Sequence, residues 1–515
     1  MKKILCIITV VHLIFLTSCT NKENNSLENT TDKGLQSSYI VDYEDGMTNF
    51  DVEEIKANEK IYEGKTKIVY LTNYNIIQGD NMIFDCEAIE AQVNKYLNDN
   101  GYDFYVDFLF NSEFDYQSEK INPNINVYEQ MIADGEQVDI FNTGIGLKDF
   151  GGYSGTYNIC IEKNYLEPLN EYFKTEAGKN FFNQYDKIFW AQAENKEGII
   201  FGKPFVYSPA QPLTLTFNEE NGRAYGLKNK NISDFSELES IFQNMASDEK
   251  KGLLIDPNNE KLYQLAEYAK WNGIYINVKN KRAENIFEDK NAIKLFNTIR
   301  KYYDKGYIET NVTEYSVNNM LCCVELASPM YNEIHSIISK GYLENSEINS
   351  AVGISSESKH KKEAFELLAL INTDPELCNI IYNGIENRNY VIQNNKKVFN
   401  QSALPFYDVF TTMTNPVLAD NNSEDNPNKK ADVKKCNEAS EISPFFYFET
   451  ADDNLLNGID SISEIYKEYY GLFYGKFENV EAVVKEANKK LYDAGLQEVL
   501  DEANRQLEEY HNKNN

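Results

Sequence analysis

The chain has 515 residues, of which 50 are Lys or Arg and 81 are Asp or Glu, so its formal net charge at pH 7 is −31. A surface this acidic repels phosphate backbones and anionic substrates, which argues against a partner that is a nucleic acid. It favours neutral or cationic ligands, and the length allows one to three domains with a large core.

The first element along the chain is a leader. Two lysines and an apolar run over residues 4–16, too short to span a bilayer, are followed by small residues and Cys19. This layout resembles a bacterial lipoprotein signal that is cleaved before Cys19, whose sulfur then carries the lipid. We therefore predict a signal peptide over 1–18, a flexible tether over 19–62 and a lipid-anchored protein at the extracytoplasmic face of the cell membrane. The alternative is an ordinary secretory leader with a cysteine at this place by chance.

Strand and helix patterns alternate after the tether. Runs of β-branched and aromatic residues predict strands, and the helical spacing of Ile89, Val93, Tyr96 and Leu97 predicts a helix between the first two. This alternation is typical of an α/β layer with parallel strands. The predicted strands of this part are 67–72, 105–110 and 138–141.

The alternation continues from about residue 205, and the last hundred residues are mainly helical. The clearest helix has Ala364, Leu367, Leu368 and Ile371 on one face. The polar stretch 420–428 predicts a surface loop. Further predicted strands are 214–218, 274–278, 324–327 and 351–354.

The sequence lacks the short motifs of common enzymes. It has no phosphate-binding loop, no HExxH, no GxSxG and no GxGxxG after a strand. A pair of carboxylates could hydrolyse a glycoside, but with 81 acids the sequence cannot single one out. Histidines are few and far apart and no CxxC occurs, so no metal site is predicted. We therefore predict a protein that is not an enzyme and needs no cofactor.

Residues 351–377 carry a resemblance to a known family. A short apolar strand and small polar residues lead into a helix that contains Glu363-Ala364, and Asp374-Pro375 then begins a second helix. This order resembles the extracellular solute-binding proteins of ABC importers, specifically the carbohydrate-type family 1 and its long lipoprotein subgroup. Looser similarities to the same subgroup occur at 217–234, 383–390 and 491–507.

The resemblance implies a fold and partners. The fold is the α/β, periplasmic-binding-protein-like type II fold, in which two lobes joined by hinge crossovers close on a ligand. Lobe 1 is expected over 63–205 and 324–373, and lobe 2, with a helical C-terminal region, over 206–323 and 374–515. The resemblance also implies a monomer that works with ABC permease subunits.

A neutral sugar suits this chain as a ligand. Aromatic side chains cover the apolar faces of a sugar, and the chain has 36 Tyr, 29 Phe and 2 Trp. The first hypothesis is a substrate-binding lipoprotein that captures a sugar or oligosaccharide between the lobes and hands it to a permease. The alternatives are a binding lipoprotein for a peptide or other small solute, a partner of a sensor and, as a third class, a surface glycoside hydrolase.

Five of the ten predicted ligand-binding residues follow strands. Asn73 and Tyr74 come after the first strand, and Asp139, Asn142 and Thr143 belong to the end of the third. Ligands of open α/β sheets bind beyond the carboxyl ends of the strands. For Asp139, a cap or turn role is the alternative.

The other five ligand-binding predictions rest on position and on the resemblance. Trp190 and Tyr207 flank the first crossover, although core packing is an alternative for Trp190. Trp271 stands among polar neighbours in lobe 2, which is typical of a residue that stacks on a sugar, with core packing as its alternative. Tyr331 occupies a place where many relatives have Trp. Arg388 is expected to bind a hydroxyl or a carboxylate, unless it pairs with a neighbouring acid.

Overall fold

The structure is a computed structural model that describes residues 62–514, except for thirteen short gaps. The described part contains nineteen strands and fourteen α-helices. The gaps are 74–84, 112–113, 116–119, 122–123, 145–155, 218, 228–231, 233–234, 245–250, 314–319, 345–349, 401–412 and 424. The predicted leader, its Cys19 and the tether lie outside the described residues.

The strands follow the chain in this order. They are β1 (Thr66–Asn73), β2 (Phe104–Asn111), β3 (Phe114–Asp115), β4 (Lys120–Ile121), β5 (Ile140–Asn142), β6 (Gly202–Lys203), β7 (Leu213–Thr216), β8 (Lys251–Ile255), β9 (Tyr268–Trp271), β10 (Ile274–Asn277), β11 (Arg282–Ala283), β12 (Ile308–Glu309), β13 (Met320–Leu326), β14 (Ser336–Ile337), β15 (Gly341–Leu343), β16 (Val352–Ile354), β17 (Tyr390–Gln393), β18 (Lys396–Phe399) and β19 (Ser440–Ile442).

The α-helices lie between and after these strands. They are α1 (Cys86–Asp99), α2 (Asn124–Asp134), α3 (Thr156–Glu162), α4 (Glu176–Phe182), α5 (Lys187–Ala191), α6 (Glu219–Ala224), α7 (Glu239–Asn244), α8 (Lys290–Asp304), α9 (Lys361–Thr373), α10 (Pro375–Asn383), α11 (Lys429–Glu438), α12 (Asp453–Glu468), α13 (Val480–Asp493) and α14 (Leu496–Asn514).

The described part of the chain divides into two compact units. The first contains the described residues up to Tyr207 and those from Glu347 to Lys430, and the second contains those of Ser208–Ser346 and of 431–514. Two borders differ from the lobes expected from the sequence. Residues 324–346 belong to the second unit because β13 pairs with β7 and β8 there. Residues 374–430 belong to the first unit, since α10 packs on α9 and α1.

The first unit is built on a five-stranded sheet with the order β2-β1-β5-β16-β6. Strands β2, β1 and β5 are parallel, with Leu71 opposite Phe141, and β16 runs antiparallel to both of its neighbours. Ile68, Tyr70 and Ile140 are fully buried, as the apolar runs in the sequence predicted. The alternating order β1-α1-β2-α2-β5 therefore gives the parallel α/β layer that the sequence indicated.

A helix side chain closes the free edge of this sheet. Strand β2 is an edge strand, so the backbone groups on its outer side need partners outside the ladder. Asn94 of α1 supplies both partners: its Nδ2 donates to the Val106 carbonyl at 2.7 Å, and its Oδ1 accepts from the Val106 amide at 2.8 Å. The buried Asn94 amide thus takes the place of a sixth strand at this point.

We predict that Asn94→Ala destabilises the first unit by about 2 kcal/mol or more, because two buried backbone groups of Val106 lose their partners. Urea denaturation followed by circular dichroism would measure the change. Lys95→Ala, at an exposed position on the same helix, is the control and should change stability by less than about 0.5 kcal/mol. Equal effects of the two substitutions would contradict the prediction.

The second unit is built on a sheet with the order β12-β8-β13-β7-β14. Strands β12, β8 and β13 are parallel, and β7 runs antiparallel to β13 and β14. One face of this sheet carries apolar side chains that belong to the main core of the unit. These are Leu213, Leu215, Leu253, Ile255, Cys322 and Val324.

Helices of the C-terminal region complete the same core. In α13, Val480, Val484, Ala487 and Leu491 are buried at helical spacing, and α12 and α14 present matching apolar faces. Gly495, at φ +92°, separates α13 from α14, because this left-handed conformation suits glycine. The helical C-terminal region expected from the sequence is present.

The polar stretch 420–428 is not simply a surface loop. Asp425 and Lys429 form an ion pair at 2.7 Å in which both side chains are only 2% exposed. Tyr382 donates its hydroxyl to the same carboxylate at 2.6 Å, and the Asn422 amide donates to it at 3.0 Å. Mutual pairing lets these polar side chains enter the interior, which composition alone does not reveal.

Candidate functional site

Three parallel strands of the first unit end on asparagine. Strand β2 ends at Asn111, which lies opposite Asn73 at the end of β1, and β5 ends at Asn142. Because β1 and β5 are parallel with Leu71 opposite Phe141, all three ends meet at one edge of the sheet. The carboxyl edge of a parallel sheet is where α/β proteins bind ligands, so we take this edge as the candidate site.

A chain of amide hydrogen bonds crosses this edge. Asn111 donates through Nδ2 to Oδ1 of Asn124, the first residue of α2, at 2.8 Å. Asn124 donates in turn to the backbone carbonyl of Asn142 at 3.0 Å. Asn124 is fully buried and Asn111 is half-buried, so the network links the interior to the rim of the edge.

The side-chain amide of Asn142 is only half used. Its Oδ1 accepts from the hydroxyl of Ser350 at 2.8 Å and from the backbone amide of Gly144 at 3.0 Å. A backbone N–H can only donate, so the atom that faces Gly144 must be the oxygen. The Nδ2 atom is buried and has no hydrogen-bond partner in the described part of the chain. The site therefore presents an unused donor.

Thr143 continues β5 towards β16. Its backbone amide donates to the Ala351 carbonyl at 2.9 Å, and its hydroxyl accepts from the Ala351 amide at 3.1 Å. Because the hydroxyl oxygen accepts this bond, its own proton remains available to a further acceptor. Asn142 and Thr143 are thus brought together at the strand end, as the sequence predicted, and Ser350 is a partner that the sequence did not suggest.

Asp139 lies at the opposite end of β5 from the place expected. It precedes the strand, is fully buried, and accepts hydrogen bonds from the Val69 amide at 2.9 Å, from Gln137 at 2.6 Å and from Ser358 at 2.5 Å. A carboxylate engaged by three internal donors has a structural role, which corrects the ligand-binding prediction for this residue. The turn role that the sequence left open describes it better.

Trp190 and Tyr207 belong to an aromatic cluster inside the first unit. Trp190 is 1% exposed, stacks on Phe182 at 5.3 Å between ring centroids and donates its indole N–H to the Phe182 carbonyl. Tyr207 stacks on Phe189 at 5.4 Å and donates its hydroxyl to the carbonyl of Thr414. Both side chains are used within the core, so the packing alternative holds for Trp190 and extends to Tyr207.

Trp271 is also a core residue. It ends β9, is 6% exposed, and lies between Phe445 and Phe448 at centroid distances of 5.3 and 5.0 Å. Its indole N–H donates to the Phe448 carbonyl at 3.2 Å. The polar neighbours in the sequence suggested an exposed stacking residue, but Phe445 and Phe448 arrive from 174 or more positions away. The structure therefore assigns Trp271 to packing rather than to ligand contact.

We predict that Trp271→Ala lowers the free energy of unfolding of the second unit by about 3–5 kcal/mol, as expected when a buried aromatic side chain leaves a cavity. Chemical denaturation would measure it. Trp271→Phe, which retains a ring in the same cluster, should lose clearly less. A Trp271→Ala variant that keeps wild-type stability but loses ligand would instead restore the stacking role.

Arg388 and Tyr331 have different surroundings. Arg388 pairs with Asp85, with one guanidinium nitrogen 2.9 Å from Oδ1, and thus joins residues 303 positions apart in the first unit. Arg388 therefore pairs with an acid instead of remaining available to a ligand, as the alternative held, although this acid lies far away in the sequence. Tyr331, in a turn after β13, is 46% exposed. Tyr74 lies outside the described residues, as does the Asn73 side chain.

Glu325 is a polar residue that the sequence analysis overlooked. It lies near the carboxyl end of β13 in the second unit, and its Oε2 accepts from the Thr216 hydroxyl at 2.8 Å. Burial raises the pKa of this carboxyl, and the hydrogen bond from Thr216 only partly offsets the effect. The sequence contained one signal of this buried carboxyl. Glu325 is the only charged residue of β13 and stands between Val324 and Leu326.

Because the folded state favours the neutral form, Glu325 contributes stability below its ordinary pKa, and this contribution is lost as pH rises through the raised folded-state pKa. We predict that Glu325→Gln, which still offers Thr216 an acceptor, gains stability relative to wild type as the pH is raised from 4 to 8. Melting temperatures measured across this range would show the widening difference. A difference that is constant with pH, or that narrows, would contradict this assignment.

Within the described residues, no helix is long and apolar enough to cross a bilayer. The same residues contain no group of three or more His, Cys, Asp or Glu side chains placed to hold a metal ion.

Known proteins resemble this chain over most of its length. Residues 444–512 match a domain of unknown function, DUF3502. The sequence is 22% identical over 392 residues to a carbohydrate ABC transporter substrate-binding protein of Streptococcus pneumoniae. The aligned region covers 70% of this chain and 78% of the relative. The crystal structure of the N-glycan transport solute binding protein from Streptococcus pneumoniae matches with a TM-score of 0.59 at 17% identity, over 88% of this chain and 100% of that one.

The chain has the fold of an extracellular solute-binding protein. The α/β type II fold predicted from the sequence is thereby confirmed, as is the resemblance to the solute-binding proteins of ABC importers. The DUF3502 segment coincides with the helices that complete the core of the second unit, from just after β19 to the end of α14.

Proposed function

We propose that this protein is the substrate-binding component of an ABC importer, which captures an extracellular sugar or oligosaccharide and delivers it to permease subunits in the membrane. The observation that carries the proposal is the similarity over 392 residues to a carbohydrate ABC transporter substrate-binding protein. The fold supports it independently of the sequence. The protein binds its substrate without transforming it.

The chemistry of the candidate site supports a neutral, hydroxylated ligand. Amide and hydroxyl groups of Asn111, Asn142 and Thr143 stand at the carboxyl edge, and such groups match the rim of a sugar. The net charge of −31 favours an uncharged ligand over an anionic one. We propose Asn73, Asn142, Thr143 and Tyr331 as ligand contacts and assign the other described candidates to the framework.

The leader supports an anchored protein. Two lysines, a short apolar run and Cys19 suit lipidation and display at the extracytoplasmic face of the cell membrane. A lipid on Cys19 and a tether of about 40 residues would let a monomer reach its permease while it remains attached. The anchor and the binding function are separate parts of the proposal.

We predict that the mature protein is stabilised by at least one neutral oligosaccharide. A ligand at roughly 100 times its dissociation constant adds about 2.7 kcal/mol to the free energy of unfolding, which is a clear shift in a melting curve. The panel comprises chitobiose, cellobiose, maltotriose, a peptide and a polyamine. Asn142→Ala should reduce the shift caused by the sugar while the melting temperature without ligand remains measurable.

Two outcomes would overturn this function. A shift with the peptide or the polyamine and with no carbohydrate would exclude the sugar-capture proposal. Release of shorter sugars during incubation, detected by chromatography, would exclude a protein that only binds its substrate.

A further inference from the structure

We propose that Arg388 is a positioning residue for ligand binding, which acts on the candidate site through Asp85 and the first turns of α1 rather than by touching the ligand. The inference rests on the proposed function and deepens it, because it names a residue outside the site that determines how well the site is formed. It follows from the contacts at the two ends of α1 and from the alignment of this helix with β2.

The carboxylate of Asp85 is held by two consecutive residues of one turn. Arg388 donates to both of its oxygens, from Nε to Oδ2 and from a terminal nitrogen to Oδ1 at 2.9 Å. Asn389 donates a third hydrogen bond to Oδ2, also at 2.9 Å. The pair is sheltered, since the side chains of Arg388 and Asp85 are 26% and 13% exposed. A contact of both guanidinium nitrogens with one carboxylate fixes direction as well as distance.

This contact takes Asp85 away from its ordinary local role. Asp85 stands at the N-cap position of α1, where an aspartate usually accepts from backbone amides of the first turn. Its carboxylate makes no such hydrogen bond with α1, whose residues are all described. The position of the carboxylate is therefore decided by Arg388 and Asn389 and not by the helix that it begins.

The turn that carries Arg388 has a defined position of its own. Asn389 is fully buried, and its Oδ1 accepts from the Ile385 amide at 2.7 Å while its backbone amide donates to the Ile385 carbonyl at 2.8 Å. Asn400, just after β18, donates to the Arg388 carbonyl at 3.0 Å. Arg388 thus reaches Asp85 from a segment that its own hydrogen bonds hold in place.

Two side chains of α1 align this helix with β2. Asn94 bonds both backbone groups of Val106, and Glu90 accepts from the Phe108 amide at 2.8 Å. The earlier residue of the helix therefore meets the later residue of the strand. The helix runs antiparallel to β2, and each step towards the start of α1 leads towards the carboxyl end of the strand.

This alignment places Asp85 at the carboxyl edge of the sheet. Five residues of helix put Asp85 about 7 Å beyond Glu90 along the helix axis. Three residues of strand put Asn111 about 10 Å beyond Phe108 in the same direction. Asp85 therefore lies roughly level with the end of β2, which belongs to the candidate site.

Hydrogen bonds lead from the first turns of α1 into the site. Glu90 holds Phe108 on the outer side of β2, an edge strand, and Asn111 at the end of this strand donates to Asn124, which donates to the Asn142 carbonyl. If the start of α1 loosens, Glu90 loses its fixed position and the end of β2 loses a partner. The polar groups of the site must then be ordered by the ligand itself, which weakens binding.

The other end of α1 offers a matched comparison. Tyr96 donates its hydroxyl to Asp374, which lies between α9 and α10, at 2.7 Å. Tyr96 is about 16 Å from Asp85 along the helix, towards the opposite edge of the sheet. Both contacts hold α1 within the first unit, but only that of Asp85 lies at the carboxyl edge. Removing each in turn separates positioning of the site from general stability.

Isothermal titration of the mature protein with chitobiose, cellobiose and maltotriose tests the inference. Arg388→Ala should weaken the binding of each sugar that the wild type binds by about tenfold, within the range for residues that act through a network. Arg388→Lys keeps the charge but not the contact of two nitrogens, and should weaken binding by about threefold. Tyr96→Phe is the control and should keep the affinity within about twofold.

Two further measurements assign the effect to Asp85 and β2. Asp85→Ala should match Arg388→Ala, and the double variant should bind no more than about twofold more weakly than either, because both substitutions remove the same contact. Without ligand, hydrogen exchange of the amides in 104–111 should rise in Arg388→Ala and stay at the wild-type level in Tyr96→Phe. Circular dichroism checks folding, and if Arg388→Ala does not fold, Arg388→Lys decides.

The outcomes separate this inference from the proposed function. Unchanged affinity in Arg388→Ala, or an equal loss in Tyr96→Phe, would overturn the inference and leave sugar capture intact. Additive losses from Arg388→Ala and Asp85→Ala would show that Arg388 acts by a contact other than Asp85, which also overturns it. Exchange in 104–111 that does not rise would overturn it as well, because the route runs through β2. Binding of no sugar by the wild type would overturn both.

Discussion

The side-chain hydrogen bonds at the two ends of β5 hold the candidate site in place. This strand has three residues and so makes few ladder bonds, although it lies in the middle of the sheet between β1 and β16. Asp139 secures its start to Val69 and Ser358, and Asn142 and Thr143 secure its end to Ser350 and Ala351. A short central strand can occupy a fixed position because side chains extend its pairing beyond the backbone.

The two ends of this strand use polar groups in opposite ways. At the amino end, a carboxylate has each oxygen engaged by donors from the first unit, so Asp139 leaves nothing for a ligand. At the carboxyl end, the Asn142 amide has its oxygen engaged and its nitrogen unengaged. The donor left at the carboxyl end lies where ligands of open α/β sheets generally bind, whereas the amino end has none left.

Local sequence patterns predicted the fold well, because the features that determine it are local. Ile89, Val93 and Leu97 are spaced for a helix, and all three are fully buried in α1. The site was predicted less well, because its chemistry depends on partners far along the chain. The Oδ1 atom of Asn142 accepts a hydrogen bond from Ser350, which lies 208 positions away along the chain. No pattern within a short window of sequence contains such information.

The same limit applies to the misassigned residues. Arg388 finds its acid 303 positions away, and Trp271 is covered by aromatic rings from a segment near residue 446. The expected lobe borders at 324 and 374 differ for a related reason. Whether β13 or α10 belongs to one unit or the other is decided by the elements it packs against, rather than by its own periodicity.

The abundance of tyrosine turns out to be a weak argument for a sugar ligand, because many rings cover buried cations. The Lys270 ammonium lies 4.9 Å from the ring centroid of Tyr263, 5.4 Å from that of Tyr275 and 5.6 Å from that of Tyr470. Such cation–π contacts help to compensate a partly desolvated charge, in addition to nearby carboxylates. Tyr382 covers Lys429 in the same way at 4.8 Å. With both tryptophans in cores as well, the case for a carbohydrate depends on the fold, the relative and the donors at one strand end, and not on the number of aromatic residues.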